Sequence, residues 1–199
     1  MQKFGSHLEI EICPHCGISM PNMPGIWHGE SRDTRTSNSK RFWGLFACGK
    51  CGGVVLVERS TNGTEISKLF PDIQDIDSSI TDARVKHHLK EALSTKHAAS
   101  ACIVSCASAV DAMLKAKGLK TGSLYERIDQ AAASHIITSE MAAWAHDVRL
   151  DANDERHVDA GAPIPLAAAA QKCVDFTFAL AEYLYVLPSK VERGRKTTA

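Results

Sequence analysis

"CPHCG", residues 13–17, has a close counterpart in "CGKCG", residues 48–52. In each stretch two cysteines flank two residues, and a glycine follows the second cysteine. Such a turn brings two thiolates together, and glycine suits it because glycine tolerates a positive φ. Two such turns supply the four tetrahedral ligands of a structural zinc ion, at about 2.3 Å from each sulfur. We therefore predict one zinc ion per chain, with the ligands Cys13, Cys16, Cys48 and Cys51.

Other uses of these cysteines are less consistent with the sequence. A redox-active pair normally lies in a βαβ unit, and no helix is predicted near either pair. A catalytic zinc ion needs an open coordination position, which four thiolates do not leave. His15 and His28 are alternative ligands, but four sulfurs are better placed.

Residues 1–60 have the pattern of β-strands and turns. The runs HLEIEIC, RFWGLFAC and GGVVLVE are short and rich in alternating, branched or aromatic residues. The polar segment 21–40, which contains glycine and proline, is expected to be a loop. Together with the cysteine pairs, this pattern predicts a small zinc ribbon over residues 1–60.

The ribbon also contains basic and aromatic residues. Trp27, Phe42 and Trp43 could stack on nucleic-acid bases, or they could form the small core of the ribbon. We favour the core, because a small metal-bound module has few other residues to bury. The loop of the ribbon is given a basic character by Arg32, Arg35, Lys40, Arg41 and Lys50.

The pattern changes after residue 60. Residues 61–80 are acidic and contain Pro71, which interrupts a helix, so we expect a connector here. Residues 81–188 show helical periodicity with capping residues, and about five helices with short connections predict a bundle. Thr81 or Asp82 would cap the first helix, Ser123 would cap the third, and Pro188 would end the last. Residues 189–199 are expected to form a basic, flexible tail.

Composition limits the classes of protein to consider. Of the 199 residues, 44% are hydrophobic, which is enough to bury a core. The 23 basic and 23 acidic residues give no net charge, so the chain as a whole lacks the basic character typical of non-specific nucleic-acid binders. No apolar run reaches about 18 residues, and the N-terminus does not resemble a signal peptide. Seven cysteines, an odd number, argue against a disulfide framework. We expect a cytoplasmic protein without a membrane partner.

The stretch "VRLDANDERH", residues 148–157, contains the candidate catalytic residues Arg149, Asn153 and His157. If the helix continues through it, the three residues lie at i, i+4 and i+8 on one face. If the helix breaks near Asp151, a following turn could carry His157. Arginine can bind a phosphate through two parallel donors, histidine can transfer a proton near neutral pH, and asparagine can orient either group.

The helical part, roughly residues 80–190, resembles the domain-of-unknown-function family 4145, a branch of the HEPN-like superfamily. The resemblance rests on AVDAMLKAKG, LYERID, VRLDANDERH and AEYLYVLP, beginning at residues 109, 124, 148 and 181. It implies a helical dimer, and many HEPN proteins are RNases in toxin–antitoxin, CRISPR and phage-defence systems. Their active sites pair an arginine with a histidine four to six residues later, whereas seven residues separate Arg149 from His157 here.

Two functions follow as expectations. The first is a metal-independent RNase acting in prokaryotic or phage conflict, in which His157 is the acid and base, Arg149 holds the phosphate and Asn153 orients them. The second is an inactive adaptor that dimerises and binds nucleic acid or a protein partner. A purely structural alternative is that Arg149 and His157 tie helix ends together through Asp147, Asp151 or Glu155.

Overall fold

The computed structural model describes residues 3–32, 40–60, 64–156 and 167–196. The chain forms two compact units, Met1–Asp75 and Ile76–Ala199. The first unit contains the β-strands and the second contains the helices, so the predicted α+β class is confirmed.

The first unit is built on an antiparallel sheet. A two-stranded ribbon, β1 (Lys3–Phe4) and β2 (Leu8–Glu9), precedes the four-stranded sheet. The sheet has the order β3-β4-β5-β6, so each strand pairs with its neighbour in sequence. Its strands are β3 (Gly25–Arg32), β4 (Lys40–Ala47), β5 (Val54–Arg59) and β6 (Ile66–Phe70).

The expectation of a loop over residues 21–40 was wrong for its central part. Gly25–Arg32 forms β3, which pairs with β4 from Trp27↔Leu45 to Arg32↔Lys40. Seven of the eight residues of β3 are exposed, so the strand lacks the alternation of buried and exposed residues that would have marked it in the sequence. Backbone pairing with the apolar strand β4 holds it in place.

The core of this unit differs from the predicted one. Phe46 is fully buried at its centre, and the edges of the Phe4 and His28 rings pack against it at centroid distances of 5.4 Å. Trp27 is 50% exposed, and Phe42 and Trp43 are half-buried. Alternation within β4 places Phe46 inward, together with residues of β2 and β5.

The segment 61–80 is not a uniform connector. Ile66–Phe70 forms the last strand, β6, and Leu69 is buried in the core of the first unit. Ile73 still packs against that core, whereas Ile76 packs against the core of the helical unit. The boundary therefore falls between Asp75 and Ile76.

The second unit is a helical bundle. Its helices are α1 (Ala83–Ser94), α2 (Ala99–Ala116), α3 (Leu124–Ala133), α4 (Ser139–Arg156) and α5 (Ala167–Ala181), and α5 continues through a π-helical turn (Glu182–Val186) into α6 (Leu187–Lys196). The five predicted helices are thus present.

Two of these helices begin at the capping residues that the sequence predicts. The Asp82 carboxylate accepts hydrogen bonds from the backbone N–H groups of Arg84 and Val85, at 2.9 and 3.0 Å. Ser123 and Glu126 form a reciprocal capping box at the start of α3. These bonds satisfy backbone donors that have no partner within the helix.

Helix α2 is the centre of the bundle. It packs against α1, α3, α4 and α5, and its buried residues include Ile103, Val110 and Leu114. By length and composition α2 is also the one described helix apolar enough to cross a membrane. Its packing among four other helices accounts for this apolar composition.

Pro188 does not end the last helix, and residues 189–196 of the predicted flexible tail are helical. Pro188 is the second residue of α6, which continues to Lys196. A proline is tolerated in the first turn of a helix, and the wider π-helical turn before it ends with a bond from the Leu187 N–H to the Glu182 carbonyl.

Candidate metal centre and polar helix face

The four predicted cysteine ligands lie together in the first unit. The Sγ atoms of Cys13, Cys16, Cys48 and Cys51 are all within 4.8 Å of one another, and those of Cys13 and Cys51 are 4.0 Å apart. Tetrahedral zinc at about 2.3 Å from each sulfur requires sulfurs about 3.8 Å apart. The observed spacing therefore fits one metal ion held by four thiolates.

Each cysteine pair forms the same tight turn. The N–H of Gly17 donates to the Cys13 carbonyl at 2.9 Å, and the N–H of Gly52 donates to the Cys48 carbonyl at 2.8 Å. Both glycines have a positive φ, 73° and 71°, which glycine adopts without a steric penalty. The second turn joins β4 to β5, so the sheet positions two of the four sulfurs directly.

The alternative histidine ligands have other partners. His15 Nε2 donates to the Val54 carbonyl at 2.8 Å, and its ring covers the backbone of Gly53. His28 Nε2 donates to the Gly5 carbonyl at 3.2 Å. Both histidines thus support the ribbon, and neither belongs to the group of metal ligands.

The cysteines of the helical unit are core residues. Cys102, Cys106 and Cys173 are each fully buried. Burial, aided by the nearby Asp151 carboxylate, raises the pKa of the Cys173 thiol to about 12. A protonated, inaccessible thiol is a poor nucleophile.

The candidate residues Arg149 and Asn153 lie on α4. This helix continues through residue 156, so the two residues are one turn apart on the same face. Both are half-buried. His157, the proposed proton-transfer residue, lies outside the described residues.

Asp147 and Asp151 are the carboxylates nearest to Arg149 in the sequence, and neither binds it. Asp147 pairs with Lys172 at 3.7 Å, and Asp151 accepts a contact from the Cys173 thiol at 3.6 Å. Arg149 Nε is buried without a hydrogen-bond partner in the described part of the chain. The guanidinium instead lies 5.3 Å from the centroid of the Tyr125 ring. Among described side chains, this geometry does not support the structural alternative in which Asp147 or Asp151 pairs with Arg149.

Sequence reasoning missed a neighbouring group on the same surface. His146, three residues before Arg149, donates from Nε2 to the Asp129 carboxylate at 3.0 Å. Its ring lies against Tyr125, with the centroids 4.8 Å apart. Tyr125 and Asp129 are one turn apart on α3, and His146 and Arg149 are one turn apart on α4. This spacing is the sequence signal that could have indicated the group.

A separate groove of about 820 Å³ lies among α1, α2 and α3. Arg127 at its wall is buried and donates from Nε to Asp111 at 2.9 Å, and Lys115 binds the other carboxylate oxygen at 2.6 Å. Arg127 also donates to the carbonyls of Thr121 and Gly122. Arg149 and Asn153 do not line this groove, and its charged wall is largely satisfied internally.

A second group of possible metal-binding side chains lies on α1. His87 and His88 contact the two carboxylate oxygens of Glu91 at 3.3 and 3.0 Å. Pairs three and four residues apart on an exposed helix surface commonly form such contacts without a metal. The two histidines are therefore ordinary residues of the helix surface.

The fold and the cysteine cluster together define a metal-binding β-ribbon joined to a helical bundle. A family model described as a domain of unknown function, DUF4145, matches residues 65–197, and the chain belongs to this family. The match covers the helical unit and begins just before β6, so all four cysteines lie outside it. No curated protein and no solved structure gives a significant match.

Proposed function

We propose that this protein is a metal-independent endoribonuclease of the HEPN-like type whose active site lies on α4. The observation that carries the proposal is the Arg149 guanidinium, held against Tyr125 with an unpaired, buried Nε and without an ion pair to Asp147 or Asp151. Among the described side chains no carboxylate pairs with Arg149, so its guanidinium is open to an anionic ligand. Asn153 lies on the same face, and His157 follows the last residue of α4.

The chemistry requires few groups. In the proposed reaction the ribose 2′-oxygen attacks the adjacent phosphorus while its proton passes to the base, and the bond from phosphorus to the 5′-oxygen breaks as that oxygen receives a proton. His157 transfers these protons, because an imidazole can serve as acid and base near neutral pH. Arg149 stabilises the charge on the phosphate, and Asn153 orients the reacting groups. The products have 2′,3′-cyclic phosphate ends.

We further propose that the metal held by the four cysteines is zinc with a structural role. Four thiolates in tetrahedral spacing are the usual ligand set of structural zinc, and they leave no coordination position for a substrate. The ribbon would help to position RNA or a protein partner. We also propose a cytoplasmic homodimer formed by the helical unit, with a role in phage defence or a toxin-type system.

The test is RNA cleavage with free divalent cations removed by brief chelation, with zinc content measured in the same sample. We expect Arg149→Ala and His157→Ala to lower kcat/KM by about a hundredfold or more. The matched controls are Arg84→Ala and His87→Ala, exposed residues of α1, which should retain activity. Undiminished cleavage by Arg149→Ala and His157→Ala would show that neither residue is required, and no cleavage of varied RNAs by the folded wild type would refute the proposal.

A second candidate is the inactive adaptor, and the ribbon surface favours it. Ile26 and Trp27 on β3 are 59% and 50% exposed, an apolar pair of the kind found at protein interfaces. If the folded protein cleaves no RNA but retains a partner through this surface, Trp27→Ala should release that partner and Arg149→Ala should not.

A further inference from the structure

We propose that Tyr125 is a base-stacking residue and that, with Arg149, it recognises one nucleotide of single-stranded RNA. This inference rests on the proposed function and extends it from the phosphate to the base. The residue lies on α3, outside the stretch that contains the catalytic candidates.

Exposure of the Tyr125 ring is the first argument. The residue is 50% exposed, although a tyrosine in the apolar face of a bundle helix would normally bury most of its ring. Its neighbours on α3, Ile128 and Ala131, are buried in the core of the helical unit. The ring therefore contributes to the surface of the unit, where a planar ligand can reach it.

The surrounding contacts hold this exposed ring in place. His146 packs against it at 4.8 Å, and the hydrogen bond from His146 to Asp129 fixes the imidazole between α4 and α3. A ring held in one orientation loses little conformational entropy when a base stacks on it. Tyr125, His146 and Asp129 thus provide a preorganised surface.

Arg149 supplies the second recognition element. Its Cζ lies 5.3 Å from the Tyr125 centroid, so a cation and an aromatic surface are adjacent. Single-stranded nucleic acids are bound by this combination, in which an aromatic ring stacks on a base and a basic group binds the backbone. Stacking needs only a planar base, so we expect tolerance of base identity at this position.

The test uses two uncleavable ligands of the same length and charge. One is a short 2′-O-methyl oligonucleotide with a fluorescent label, and the other is the same backbone with its bases removed. Tyr125→Ala should weaken binding of the first ligand about tenfold and leave binding of the second almost unchanged. Arg149→Ala should weaken binding of both ligands, because both carry the phosphates.

Three control variants test whether the aromatic ring of Tyr125, and not its hydroxyl group or its apolar bulk, is responsible for binding. Tyr125→Phe keeps the ring and should bind within about twofold of wild type, whereas Tyr125→Leu keeps apolar bulk and should behave like Tyr125→Ala. Tyr183→Ala removes another partly exposed tyrosine, 37% exposed, and should have no effect. Circular dichroism of each variant checks that the bundle is folded.

The outcomes distinguish this inference from the proposed function. Equal losses on both ligands, no loss, or a similar loss in Tyr125→Phe would overturn the stacking role, even if Arg149-dependent cleavage is observed. A base-dependent loss without any cleavage by wild type would support stacking and refute the nuclease. Failure of the wild type to bind the intact ligand would overturn both.

Discussion

At the scale of single residues, the four cysteine thiolates define the candidate metal centre. The four sulfurs come from two turns separated by 31 residues, and their spacing fits one tetrahedral ion. Desolvation by burial raises the pKa of the Cys16 thiol to about 12, so this thiol is protonated at neutral pH when no metal is bound. Metal binding therefore has to displace protons.

We predict about one zinc ion per wild-type chain and a loss of that zinc in the Cys48→Ser/Cys51→Ser double variant. Removing two of four thiolates leaves too few ligands for a closed structural site. Elemental analysis of the purified proteins measures the stoichiometry. The Cys102→Ser variant, which alters a buried thiol of the helical unit, should keep its zinc. A zinc-free wild-type protein, purified without chelators, would contradict the assignment.

The Arg127–Asp111 ion pair contributes to the stability of the helical unit. The Arg127 side chain is 7% exposed and satisfies one carboxylate oxygen of Asp111 and two backbone carbonyls. Loss of the arginine would leave the partly buried Asp111 carboxylate paired with Lys115 alone and would remove the donor that two loop carbonyls share.

We expect Arg127→Met to lower the free energy of unfolding of the helical unit by about 3 kcal/mol, because methionine keeps apolar volume but no donors. Urea titration followed by the helical circular dichroism signal measures this change. Arg84→Met, at an exposed position on α1, is the matched control and should change stability by less than about 0.5 kcal/mol. Equal stability of Arg127→Met and wild type would show that the pair contributes no net stabilisation.

At the scale of elements, helix ends are specified locally. The Asp82 carboxylate accepts from two N–H groups in the first turn of α1, and the positive end of the helix dipole favours its charge. Because this interaction lies within four residues, it could be predicted from sequence.

We predict that Asp82→Ala lowers the free energy of unfolding by about 1 kcal/mol. Thermal or urea unfolding of the helical unit provides the measurement. Thr81→Ala alters the exposed residue beside it and should have little effect, whereas a larger loss in Thr81→Ala would place the cap at the wrong residue.

At the scale of the whole molecule, the two units have different sources of stability. The first has a small core and four cysteine ligands, and the second has a core built around α2. Small modules commonly require a metal, whereas a bundle with a large apolar core does not.

We therefore predict that a chelator strong enough to remove the metal unfolds the ribbon and leaves the bundle folded. Trp27 and Trp43 report on the first unit by fluorescence, and Trp144, packed 5.0 Å from Phe176, reports on the second. Single-tryptophan variants separate the two signals. Simultaneous loss of both signals at the same chelator concentration would show that the bundle also depends on the metal.

The sequence by itself determined the features with short-range causes. The cysteine turns, the caps at Asp82 and Ser123 and the periodicity of α2 each depend on residues a few positions apart, and each was predicted. The four candidate ligands could also be predicted, because each of two short turns contains a pair of cysteines separated by two residues.

Only the tertiary structure decided the features that depend on a partner far along the chain. β3 has almost no buried face of its own and exists through pairing with β4. The contacts of Arg149 with Tyr125, and of His146 with Asp129, join α3 to α4 across 24 and 17 positions. Periodicity places each residue on a helix face, but the packing of two helices sets which faces meet.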